Sequence, residues 1–317
     1  MKILVTGGCG YVGSVLVPNL AAQGHEVTVV DAQWFGNFLP SKSNITVIKK
    51  HFSEINQEEL AGVESVIHLA NVANDPSVEL NPVLSWEVNV LHTTQLLNLC
   101  KKSKSIKSFM YASSGSVYGV KDEDRVTEDL DLVPISAYNK TKMSAERVCL
   151  SYSEEFNVYC IRPATVCGVS PRMRFDVVVN MFVMHAFRDK KITVLGGDQV
   201  RPNIHIEDMS RVYEHFLNNP SLPSGCFNAG FENISVLSIA KMVSKKFGVE
   251  IAIKPSNDPR SYRQDSSKLM ATGYKQTKYV ADAIEEIAEA LASSSVTDDD
   301  RWYTVKWMTS NNIGDAK

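Results

Sequence analysis

The stretch Val5-Thr6-Gly7-Gly8-Cys9-Gly10-Tyr11-Val12-Gly13 decides how this chain is read. An apolar run, Ile3-Leu4-Val5, precedes it as a short buried strand, and apolar residues at helical spacing follow it over 11–23. The three spaced glycines between strand and helix have separate tasks. Gly7 permits a tight turn, Gly10 lets the backbone approach a pyrophosphate, and Gly13 lets the helix lie close to the strand. A diphosphate at this turn, with Tyr11 and Val12 beside it, meets free N–H groups and the positive end of the helix. Asp31 closes the next strand, 26–30. A carboxylate there accepts hydrogen bonds from both hydroxyls of a ribose and repels a 2′-phosphate, which favours NAD over NADP.

Outward from this loop the first half alternates strand and helix. Short apolar strands are predicted at 45–48, 65–69, 106–112 and 158–161. Helices are predicted over 82–102, with Leu84, Val88, Leu91, Leu96 and Leu99 on one face, and over 136–156. That alternation implies βαβ units with right-handed crossovers: an α/β fold, with a doubly wound parallel-sheet Rossmann domain. After Pro163 the pattern changes. Prolines at 171, 202, 220, 223, 255 and 259 divide shorter elements. Helices are expected near 175–188, 207–218, 235–247 and 279–292, and strands near 192–195, 225–229 and 250–253. The expected division is an NAD-binding domain over 1–165, to which 206–230 returns, and a smaller C-terminal substrate domain from 166–205 and 231–292. A tail, 293–317, opens with the polar run Ser-Ser-Ser-Val-Thr-Asp-Asp-Asp and then carries Trp302, Tyr303 and Trp307. Folding back on the body and docking a partner both fit that tail.

Composition narrows the partners. A formal net charge of -3 over 317 residues gives no basic excess for nucleic acid or an anionic membrane. No apolar run approaches the roughly 20 residues of a membrane helix, and no signal-peptide pattern precedes the first strand. The six cysteines are scattered, without CxxC pairs or metal-ligand spacing, and read as reduced thiols of a cytoplasmic protein with no metal site.

A second constellation carries chemistry. Phe109-Met110-Tyr111-Ala112-Ser113-Ser114 runs from a strand into a polar loop, and Tyr138-Asn139-Lys140-Thr141-Lys142 opens a helix. Tyr138 and Lys142 are four apart and share a helix face. An ammonium beside a phenol favours the phenolate, so Tyr138 is expected to take a proton from a sugar hydroxyl as hydride leaves for the nicotinamide. Ser114 is placed on the same oxygen, and Lys142 on the nicotinamide ribose.

In this order the motifs resemble the extended short-chain dehydrogenase/reductases, the NAD-dependent nucleotide-sugar epimerase/dehydratase family, over about 1–290. The resemblance implies further roles. His68-Leu69-Ala70-Asn71 resembles the strand segment against the cofactor, placing Leu69 and Ala70 there, and Asn89 resembles the helix asparagine that steadies the site. Ser116, in Ser116-Val117-Tyr118-Gly119, and Thr165 are expected at the substrate. Arg201, in Arg201-Pro202-Asn203-Ile204-His205, resembles the arginine on the substrate diphosphate, joined by Asn180 and by Arg260 or Arg263. Val194, within 193–195, is expected beside the nucleotide base. The resemblance also implies a homodimer, paired through the helices at 82–102 and 136–156.

There are departures. His51 stands where the family often has an aspartate on the adenine, Thr165 where many epimerases have asparagine, and Cys167 where tyrosine is frequent. Gly115-Ser116 follows Ser114 where the 4,6-dehydratases carry an acidic pair, which disfavours dehydration. The stretch 170–176 is unusual; Arg172 and Arg174 fit either a substrate contact or an anchor for the loop. The reading favours a nucleotide-sugar epimerase working through a 4-keto sugar. A dehydrogenase or ketoreductase of the same family is the first alternative, and a non-catalytic NAD-binding regulatory protein the second.

Overall fold

Twelve strands place the site. In the computed structural model, which describes residues 1–256 and 261–314, they are β1 (Lys2–Thr6), β2 (Glu26–Asp31), β3 (Ile45–Lys49), β4 (Ser65–His68), β5 (Ser108–Ala112), β6 (Asn157–Pro163), β7 (Thr165–Cys167), β8 (Lys191–Leu195), β9 (Val200–His205), β10 (Gly225–Ala229), β11 (Glu232–Ser235) and β12 (Glu250–Lys254). Seven form one sheet in the order β10-β6-β5-β4-β1-β2-β3, and every pairing is parallel. Ile3, Leu4 and Val5 of β1 are buried on both faces, as a central parallel strand requires. The chain runs outward from β1 to β3 and then crosses to the other side at β4. That reversal opens a crevice above the carboxyl ends of β1 and β4, where open α/β sheets bind ligands.

Beyond β6, β11-β9-β7 and β12-β8 form two small sheets. Helices Val178–Asp189, Val236–Phe247 and Val280–Ala292 bury one apolar stripe each, through Phe182 and Val183, Ile239 and Val243, and Ile284 and Ile287. Each of these side chains contributes about 1.5–3 kcal/mol by leaving water.

Three regions differ from the periodicity. The segment 82–102 is not one helix: Pro82–Trp86 and Thr93–Lys102 flank a π-helical turn at Glu87–His92. The helix expected to 156 ends at Leu150, because Ser151 turns its hydroxyl onto the Val148 carbonyl at 2.7 Å. Strands β7 and β11 span three and four residues and β9 carries Pro202 among polar residues, so none of the three shows a readable alternation.

The tail folds back on the body. After the turn Asp300–Trp302, the helix Thr304–Ser310 sets Trp307 Nε1 on the Trp34 carbonyl at 2.7 Å. Trp302 packs on Phe38, with ring centroids 5.1 Å apart, and its carbonyl accepts the Phe175 N–H at 2.9 Å. The segment thus straps the loop after β2 to the loop after β7. No helix among the described residues is long and apolar enough to cross a membrane, and the six cysteines are free thiols.

Candidate active site

A cavity of about 950 Å³ opens over the carboxyl ends of β1, β4 and β5. The glycine loop forms its floor. Gly7 has φ +72°, and a Cβ there would stand 2.5 Å from the Ala70 nitrogen. A Cβ on Gly13 would stand 2.5 Å from the Gly8 Cα, so both positions must be glycine for the fold alone. Gly10 differs: a Cβ would meet only the Gly7 carbonyl oxygen, at 3.1 Å. A methyl there would be crowded by that one atom alone, far less than at Gly7 or Gly13, so the bare backbone of Gly10 fits a ligand lying against the turn. Tyr11 and Val12 line the same floor, at the start of the helix Gly13–Ala22.

Asp31 stands at the end of β2. One carboxylate oxygen accepts the Cys9 N–H at 2.9 Å and the other the Gln33 N–H at 2.6 Å. Burial pushes its pKa above the usual carboxylate value, and those two N–H groups and Arg172 pull it back. Each oxygen accepts one N–H and retains lone pairs, and Asp31 lines the cavity, which suits a ribose diol. Leu69 and Ala70 form the wall after β4. These residues fit a dinucleotide.

Tyr138 and Lys142 come from the first turns of the helix Ala137–Leu150, capped by Ser136 Oγ on the Asn139 N–H at 3.1 Å. Ser114, two residues past the end of β5, lines the cavity with Tyr138 and acts on its hydroxyl electrostatically. Ser116 Oγ lies 2.8 Å from Ser114 Oγ. Lys142 is buried, donates from Nζ to the Ala112 carbonyl at 2.7 Å, and sits 5.8 Å from the Tyr138 ring centroid. Burial dominates both titrations. It pushes the Tyr138 hydroxyl up to about 12, against Ser114 and Arg174, and pushes Lys142 down to about 7. In the chain alone burial dominates the Tyr138 hydroxyl, and the depression expected from the lysine does not appear there.

A buried polar network holds the trio in place. Arg162 of β6 grips Glu146 with Nη2 on Oε1 at 2.6 Å and Nε on Oε2 at 2.9 Å. Ser113 Oγ donates to the same carboxylate at 2.8 Å, and Arg162 Nη1 donates to the Tyr118 hydroxyl at 2.7 Å. The loop carrying Ser114 is thereby tied to the helix carrying Tyr138.

The expected site residues do not all converge. Thr165, Arg172, Arg174 and Arg201 line the cavity with Ser114 and Ser116. Arg174 donates from Nε to Asp176 at 2.8 Å. Asn89 is fully buried and off the cavity: its amide accepts the Val72 N–H at 2.8 Å and donates to Thr141 Oγ1 at 3.1 Å. It braces the loop after β4 against the helix that carries Tyr138. Asn180 is also buried off the cavity, because its amide is spent inside the chain. It accepts the Gly168 N–H at 3.1 Å and donates to the Tyr11 hydroxyl and the Arg174 carbonyl, each at 2.9 Å. Val194 points into the helical core, while its neighbours Thr193 and Leu195 reach the cavity, as strand alternation dictates. Arg263 is exposed and away from the cavity, and Arg260 lies outside the described residues. Trp34, Phe35 and the segment from Thr304 to Lys306 also wall the cavity, and no motif announces them. The aromatic run at 302–307 was the one available signal for the second wall.

The comparisons agree with this geometry. Residues 3–230 match the model of the NAD dependent epimerase/dehydratase family. An uncharacterized UDP-glucose epimerase, YtcB, of Bacillus subtilis is 30% identical over 293 residues, covering 84% of this chain and 90% of its own. UDP-glucuronic acid decarboxylase 1 of Xenopus tropicalis is 28% identical over 84% of this chain, which spans 66% of that relative. Among solved structures, MoeE5 in complex with UDP-glucose and NAD superposes with a TM-score of 0.84 at 26% identity, over 93% of this chain and 100% of its own. The UDP-glucuronic acid 4-epimerase of Bacillus cereus, with UDP-glucuronic acid and NAD, gives 0.82 at 26% identity over the same shares. With its parallel sheet, glycine loop and Ser–Tyr–Lys cluster, the chain is an NAD-dependent enzyme and belongs to the NAD-dependent epimerase/dehydratase family.

Proposed function

We propose that this enzyme is a UDP-sugar 4-epimerase working through a 4-keto sugar. The observation that carries the reading is the convergence of Ser114, Tyr138 and Lys142 on one cavity that also holds Asp31 and Arg201. Bound NAD supplies the hydride acceptor and donor. Tyr138 takes the proton of the sugar hydroxyl, and Ser114 holds the same oxygen as it becomes a carbonyl. Lys142, fixed by Ala112, orients the nicotinamide ribose. Arg201 binds the substrate diphosphate. The glycine-loop part, rejoined at β10, holds the cofactor; the part built from β7, β8, β9, β11 and β12 covers the sugar nucleotide.

The test is proton NMR of the enzyme with UDP-sugars deuterated at C4. Interconversion of C4 epimers with deuterium kept at C4, and no net NADH, supports the proposal. Stoichiometric NADH with release of a keto product makes it a dehydrogenase. Turnover unchanged in Tyr138→Phe overturns the role of Tyr138 as the base. We also propose a homodimer, supported by exposed Val83, Trp86 and Leu91 on Pro82–Trp86 and Glu87–His92. A monomer mass by light scattering refutes it.

A further inference from the structure

Arg172 is a buried cation whose Nε has no partner among the described residues. Its Nη2 makes one long hydrogen bond, 3.4 Å, to Thr304 Oγ1 of the strap. Its guanidinium lies 4.0 Å from the centre of the Phe35 ring, on the loop that follows Asp31. Two residues earlier, Ser170 Oγ donates to the Tyr11 carbonyl at 2.8 Å, which pins this loop to the cofactor turn itself. Arg172 interacts electrostatically with both Asp31 and Tyr11, and it lines the cavity that Gly10 lines. A guanidinium taken out of water this completely is costly unless an anion completes its hydrogen bonds. Asp176 acts on Arg172 electrostatically but makes no hydrogen bond to it; its oxygens accept from Arg174 and the Thr304 N–H at 2.8 and 3.1 Å.

We propose that Arg172 is a cofactor-binding residue: it donates to the diphosphate of NAD from the side opposite the glycine loop. The helix N-terminus at Gly10–Gly13 and the Arg172 fork then grip the diphosphate from two faces. Phe35 and Thr304 fix the fork by stacking and hydrogen bonding, so the strap contributes to cofactor affinity without touching the reacting carbon. The inference rests on the use of NAD and stands whether the sugar chemistry is epimerisation or oxidation.

The UDP moiety of the substrate carries a diphosphate too, so the experiment compares the two. Calorimetric titrations of the full chain, freed of nucleotide, are run with ADP-ribose and separately with UDP. Arg172→Leu is expected to weaken ADP-ribose binding roughly ten- to a hundredfold, the loss of charge-assisted hydrogen bonds, and to change UDP binding less than about twofold. Thr304→Val, which frees the fork while keeping the charge, is expected to weaken ADP-ribose by a smaller factor and leave UDP alone. Weakened UDP binding with intact ADP-ribose binding overturns the proposal and returns Arg172 to the substrate. Unchanged affinity for both overturns it as well. If Arg172→Leu does not fold, Arg172→Lys decides between the two ligands: ADP-ribose affinity must fall while free adenosine affinity holds, since adenosine lacks the diphosphate.

Discussion

Lys142 donates to the Ala112 carbonyl across 2.7 Å, joining the helix of the reactive tyrosine to the end of the strand that delivers Ser114. The lysine therefore sets the spacing between Tyr138 and Ser114, in addition to the cofactor role proposed for it. Lys142→Met is expected to lower kcat at least about a hundredfold, with misplacement of the base adding to the lost charge. It should also shift KM for the sugar nucleotide little, and steady-state kinetics on cofactor-loaded protein checks both.

The glycine loop separates packing from binding. Gly13→Ala is expected to destabilise the protein by a few kcal/mol, because its Cβ would overlap the Gly8 backbone. Gly10→Ala is expected to leave the melting temperature within a few degrees of wild type yet weaken NAD tenfold or more. Thermal melts with and without NAD distinguish the two, and equal loss of stability in both variants contradicts the assignment of Gly10 to the ligand.

Acid sensitivity should centre on His68. It is buried between Thr6 Oγ1 at 2.6 Å and Thr93 Oγ1 at 2.9 Å, and desolvation lowers its pKa to about 3. The unfolded chain binds this proton near pH 6.5 and the folded chain does not, so stability falls as pH drops from about 6.5 toward 3. The slope from this one group is at most about 1.4 kcal/mol per pH unit. His68→Gln should remove that component, seen as a shallower fall in urea midpoints between pH 6.5 and 4.

Glu146 is the buried partner of Arg162. Glu146→Ala is expected to cost about 3–5 kcal/mol, since it leaves Arg162 charged and unpaired in the interior. Urea denaturation measures it. The double variant Glu146→Leu with Arg162→Met should recover much of that loss while kcat stays low, because Ser113 and Tyr118 lose their anchor.

What was legible in the sequence follows from what has a local signature. β1, its glycine turn and Asp31 are encoded within one βαβ unit, so fold class and cofactor could be read, and the four-residue spacing of Tyr138 and Lys142 placed both on one helix. Asn180 and Val194 show where locality fails. Whether Asn180 faces a ligand or ties Gly168 to Tyr11 depends on a partner 169 residues away, and whether Val194 or its neighbours face the cavity depends on strand register. The strap is the same case: Trp302 and Trp307 announced burial, but the surfaces that bury them, Phe38 and Trp34, are fixed only by the tertiary fold.

The π-helical turn at Glu87–His92 carries a consequence for tolerance to length change. It holds one residue more than an α-helical path over the same rise, and that residue lets Asn89 reach Val72 while Pro82–Trp86 and Thr93–Lys102 keep their own packing. Alanine substitution along this helix leaves the count intact and should be mild at exposed positions such as Leu91. Deletion of one exposed residue there would let the turn relax to α, swing Asn89 about 100° around the axis, and release Val72 and Thr141 together. In this helix, then, the number of residues is as strictly encoded as the identity of any one of them.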